Sequence, residues 1–151
     1  MKGTDKANLR DKLESLAKDT GATYFGIADL TPARQPISEQ GGEFLTQFPR
    51  AVSHGFVLDD GTVNTLVHHE NVAALSNYWY YVYQIVNPRI DSVSLTLAQC
   101  LDRAGFQAFV VPSSQTVDRT GLTGVFSHKL AAHLAGLGWI GKSALLITPE
   151  H

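Results

Sequence analysis

The sequence predicts a single α+β domain in which a mixed sheet is covered by helices, and three observations lead there. Its 151 residues suit one compact domain spanning 1–151. An apolar fraction of 44% against 17% charged residues is enough to build a core. Short runs rich in aromatic and branched residues alternate irregularly with segments of helical periodicity, which fits a mixed sheet better than repeated right-handed βαβ units.

Taken in order, Leu9, Leu13 and Leu16 recur at helical spacing behind a Thr4 or Asp5 cap, and Gly21 is placed to stop that helix. "ATYFGIADL" reads as a strand, and "TPARQPISEQGG", with two prolines and two glycines, as a loop. A short helical piece around Phe44 to Phe48 ends at Pro49. "AVSHGFVL" is then a second strand, closed by the turn "DDGT".

The longest helical stretch follows. Val72, Leu75, Trp79, Val82 and Val86 form one apolar stripe, and Ile90, Val93, Leu97, Leu101 and Ala104 another. Pro88 between them predicts two helices or one bent helix, ending at Gly105. "FQAFVV" reads as a third strand and "PSSQTVDRTGLTG" as a polar loop long enough for a ligand to organise. Phe126, Leu130, Leu134 and Leu137 define a last helix, and "ALLI" a buried strand stopped by Pro149.

Charge and composition narrow the function. A net charge of -2 with scattered basic residues leaves no footprint for nucleic acid, because neutralising phosphates needs a clustered basic surface. No apolar run is long enough to span a membrane, and "MKGTDKANLR" is too polar for a secretory signal, which points to a cytoplasmic protein with no membrane partner. The one cysteine, Cys100, cannot build a disulfide or an iron–sulfur site alone, and helical spacing buries it.

The six histidines do not have the spacing of a metal site. His68 and His69 are adjacent and diverge, and His128 and His133 are five apart, off the three or four that share a helical face. Ser127 beside His128 is not a catalytic dyad, since helical neighbours point apart. No catalytic residue is assigned.

The segment "AGLGWIGKSALLI" spells a phosphate-loop pattern, with Gly136, Gly141, Lys142 and Ser143 at the required positions. A phosphate loop needs a strand, then the glycine turn, then a helix whose N-terminus meets the phosphates. Here a helix precedes the glycines and a short apolar run follows, so the order is reversed. Gly136 or Gly138 can instead end the helix with positive φ, and Gly141 can let backbone approach a neighbour or a ligand.

"AAHLAGLGWIGKSALLITPEH", residues 131–151, resembles the signature of epoxyqueuosine reductase and its iron–sulfur relatives, and its ending is similar to that of corrinoid reductive dehalogenases. Weaker similarity extends through "LAKDTGATYFGIADL", "FPRAVSHGFVL" and "LDRAGFQAFVVPSS". The resemblance implies a nitroreductase-like cobalamin-binding domain, followed by a domain with two four-iron–four-sulfur clusters that pass electrons to the corrin cobalt. It places Gly138, Trp139, Ile140, Gly141, Lys142 and Ser143 at the corrin edge.

Two departures accompany it. The queuosine enzymes carry an acid in an Asp-Tyr-His sequence early in the long helix, where this chain has "NYWYYVYQIVNPRID" and no acid before Asp91. The cluster cysteines would lie beyond His151, so the chain is expected to be the N-terminal part of a longer iron–sulfur protein. Two alternatives stay open: a flavin-binding nitroreductase-like module, and a non-catalytic domain that forms a homodimer through the cluster Tyr78, Trp79, Tyr80, Tyr81 and Tyr83.

Overall fold

The computed structural model describes residues 3–118, 120–121 and 123–149, with side chains from residue 8 onward. Helix α1 spans Gly3–Asp19, so the expected Thr4 or Asp5 cap concerns side chains outside those described. It ends as expected at Gly21, whose φ of 100° lets the Gly21 and Ala22 N–H groups return to the Lys18 and Ala17 carbonyls.

Strands β1, Tyr24–Asp29, and β2, Arg50–Gly55, pair antiparallel with Phe25 opposite His54 and Ala28 opposite Ala51. Asp29 closes the end of this pair. Its carboxylate accepts the Thr31 N–H at 3.0 Å and meets Arg50 at 2.7 Å, and Thr31 and Arg50 together hold its pKa down to about 2.

The segment read as a proline–glycine loop is largely helical: a 3₁₀ turn at Thr31–Ala33 leads into α2, Arg34–Gly41, and a second 3₁₀ turn covers Glu43–Gln47. Pro32 and Pro36 lie in first turns, where no helical N–H is needed, so they do not break the elements. The "DDGT" turn is likewise the start of a short helix, α3, Asp60–Val63, capped by the Asp59 side chain.

The long helical stretch is continuous from 72 to 103. It comprises α4, Val72–Tyr80, a π-helical segment Tyr81–Val86, and α5, Asn87–Arg103. Pro88 has no N–H and its ring crowds the carbonyl four residues back, so the ladder slips there. The Asn87 N–H accordingly bonds the Val82 carbonyl, five residues earlier.

That slip has a consequence for packing. Counted at about 100° per residue, Val72, Leu75 and Trp79 would line up with Val93 and Leu97 in an unbroken α-helix. One extra residue in the turn rotates the first stripe away by roughly that angle. Val93 and Leu97 are buried, whereas Val72, Leu75 and Trp79 are exposed, so the expected core stripe on α4 is a surface feature.

Two core clusters lie on the two faces of the β1–β2 pair. Leu13, Ala17, Ala22, Val93, Leu97 and Cys100 join α1 to α5, with Phe25 and Val52 packed against them. Ala28, Leu30, Ala33, Ile37 and Leu45 form the second, against which Leu130, Leu134 and Ala135 pack. These last residues belong to or follow α6, His128–Leu134, which starts later than its apolar spacing suggests because the Ser127 side chain caps it by accepting the Leu130 N–H. Gly26 allows this crossing: a Cβ there would lie 2.9 Å from the Ala135 Cβ.

Residues 106–111 form no strand ladder. Phe109 is held instead by ring packing on Phe44 and Phe48, at centroid distances of 5.7 and 6.0 Å. The remaining strands, β3, Trp139–Ile140, and β4, Leu146–Ile147, pair antiparallel with each other. Over the described residues the domain is therefore α+β with helices packed around two small antiparallel sheets, where the sequence suggests one mixed sheet. Among the described residues, no helix is long and apolar enough to cross a membrane.

Candidate functional site: a clamped hairpin

The phosphate-loop pattern folds into three unlike pieces. Gly136, at φ 77°, is the C-terminal stop of α6, with the Gly136 and Leu137 N–H groups returning to the His133 and Ala132 carbonyls. Gly138 serves close packing, since a Cβ there would run into the Ile147 carbonyl oxygen. Gly141 opens the turn of the β3–β4 hairpin: its N–H bonds the Leu145 carbonyl at 2.9 Å, and its own carbonyl accepts the Ala144 N–H at 3.0 Å.

Lys142 and Ser143 occupy the exposed tip of that turn, between two strands. Strand β4, not a helix, comes next after the turn. The strand–turn–helix order that aims N–H groups at a phosphate is absent here, as the order of elements in the sequence implied.

Ala144 adopts φ 59°, the left-handed conformation that such a three-residue turn requires and that glycine usually supplies. Ala144→Gly should therefore stabilise the hairpin by about 0.5–1 kcal/mol. Increased amide-exchange protection at Gly141 and at residue 144, whose N–H groups make the two turn bonds, would record it, and decreased protection would contradict it.

Helix α6 clamps the hairpin at both ends. Lys129 Nζ donates to the Ala144 carbonyl at 2.6 Å, and one turn later the His133 ring is 3.0 Å from the Gly138 carbonyl, which its Nδ1–H donates to. Beyond β4, the Tyr24 and Thr148 hydroxyls are 3.3 Å apart, tying the hairpin to β1. The held element nevertheless presents Trp139, Ile140, Leu145 and Ile147 to solvent, Trp139 at 51% and Leu145 at 64%. "ALLI" is thus not the buried strand expected.

A second polar group had no signature in the sequence. His54 on β2 lies 2.9 Å from Ser94 Oγ on α5 through Nε2, and its Nδ1 is buried with no hydrogen-bond partner among the described residues. Asp91, one turn before Ser94, accepts the Ser113 N–H at 2.8 Å, and His128 of α6 donates to the Pro112 carbonyl at 3.1 Å. Together they fasten the start of the polar loop to the two helices. His128 and His133 thus serve different carbonyls, and among the described residues no three His, Cys, Asp or Glu side chains group as a metal site.

Burial lowers the His54 pKa, nearby His128 adds to this, and Asp91 opposes it. The unfolded chain takes up this proton near pH 6.5 and the folded chain only at lower pH. The stabilisation is therefore complete above about 6.5 and is lost as pH falls through the folded value. Denaturant unfolding between pH 7.5 and 5 should show this decline, and His54→Gln should flatten it. An unchanged slope would contradict the assignment.

No family model, curated protein or solved structure matches this chain.

Proposed function

We propose that the chain is a corrinoid-binding redox domain with a nitroreductase-like fold, working with a separate iron–sulfur unit in the cytoplasm. The observation that carries this is the clamped hairpin: the residues of the resembling stretch that form it, Gly138 to Ser143, project an apolar surface with a cation and a hydroxyl at its tip. That combination fits a flat macrocycle whose rim carries amides and a phosphate. The β1–β2 pair with helices on both faces supports the fold assignment.

A bound corrinoid would supply a cobalt centre for electron transfer. The chain's own part is to bind and orient. Trp139 and Ile140 would lie against the macrocycle, Lys142 would pair with the phosphate, and the Ser143 hydroxyl would bond a rim amide. Lys129, His133 and Tyr24 hold the hairpin in one conformation, which lowers the ordering cost of binding. Cys100 is buried in the core, so electrons would have to come from clusters held by other residues.

Titration with hydroxocobalamin should give a saturable shift of the visible spectrum, and Lys142→Ala should weaken binding about tenfold, as expected for one charge-assisted contact. Saturable quenching of added FMN in place of that shift would transfer the site to a flavin.

A further inference from the structure

The rotation imposed by the π-helical segment leaves α4 without a partner. None of the described residues from 60 to 86 is fully buried, and the half-buried positions of α4 and the π segment, Ala74, Tyr78, Tyr81, Val82 and Val86, use the inward face. The outward ridge consists of Val72, Leu75, Trp79 and Tyr83, at spacings of three, four and four, with Tyr80 beside it. Val72 is 76% and Trp79 48% exposed. Contiguous apolar surface of this kind marks an interaction site.

The rings are already ordered. Trp79 stacks on Tyr83 at 5.3 Å and meets Tyr80 edge-on at 5.3 Å. Preset aromatic anchors of this type dominate interface energies, because little side-chain freedom remains to be lost.

Charge identifies the occupant. Residues 71–88 contain no Asp, Glu, Lys, Arg or His, the longest such run in the chain. A two-fold contact places each residue of a patch near its own copy, so a charged patch would repel itself and a neutral aromatic one does not. A charged partner surface would leave its charges desolvated against these rings. We infer that this ridge is a homodimer interface, in which α4 and the π segment of one chain pack against the same elements of a second copy, with Trp79 near the two-fold axis. No cofactor is needed for it.

Sedimentation of the full chain at about 100 µM should give a dimer, which requires only a modest affinity. Trp79→Glu should give a monomer with unchanged helical circular dichroism, because it places two carboxylates against each other. Trp79→Lys should do the same, and mixing the two variants should restore a heterodimer. A monomeric wild-type chain at that concentration, a Trp79→Glu chain that stays dimeric, or a mixture that fails to pair would each overturn the assignment.

Discussion

Replacing Leu97 by Ala is expected to destabilise the domain by about 3 kcal/mol, the middle of the range for emptying a buried leucine site. Leu97 is 3% exposed and joins α5 to α1 among Leu13, Ala17, Val93 and Cys100. Its smaller neighbours, Ala17 and Ala22, have no side chain that can reach into the space left behind, so collapse of the cavity is restricted. For a chain of this length the melting temperature should fall by roughly 6–12 °C. Leu97→Met, which conserves volume, should cost less than about 1.5 kcal/mol. Calorimetry of both variants checks the pair, and equal losses would place Leu97 outside a tightly packed core.

Gly138→Ala is expected to abolish the hairpin's geometry while leaving the helical core standing. The added methyl would clash with the Ile147 carbonyl oxygen, so Trp139 and Ile147 could not remain paired as they are. Overpacking of this kind costs about 1–3 kcal/mol, and the β3–β4 unit can avoid it by opening. Affinity for hydroxocobalamin should then drop at least tenfold with far-ultraviolet circular dichroism nearly unchanged. Gly136→Ala is the informative contrast. A Cβ there meets nothing within 4 Å, and only the positive φ is penalised, by about 1 kcal/mol. It should lower stability and retain binding.

These two glycines illustrate how much was legible in the sequence. Helical spacing and a following glycine located α1 and α6, and runs of branched and aromatic residues located β1 and β2, because these signals are local. The reversed order of elements around the phosphate-loop pattern was legible for the same reason. Which of Gly136 and Gly138 ended the helix was not, since that depends on whether the next strand returns close by.

Where the structure departs from the sequence pattern, the causes are physical. Pro32, Pro36, Gly41 and Gly42 suggested a loop, yet prolines in first turns are compatible with the helical segment they begin. "FQAFVV" has strand composition but joins no ladder, and its Phe109 packs on Phe44 and Phe48. The stripe on α4 follows a constant helical period in the sequence, and the turn before Pro88 interrupts it. Finally, His54, Ser94 and His128 are separated by 40 and 34 residues, so only the packing of β2, α5 and α6 brings them together.

The most direct test of the corrinoid assignment uses the chain's two tryptophans, Trp79 and Trp139. In a Trp79→Phe variant, Trp139 on the hairpin is the only tryptophan reporter. Titrated with hydroxocobalamin, this variant should lose its tryptophan emission along a saturable curve that coincides with the visible-spectrum shift. Emission that falls only in proportion to added absorbance, with an unshifted cofactor spectrum at about millimolar concentration, would contradict corrinoid binding at this hairpin.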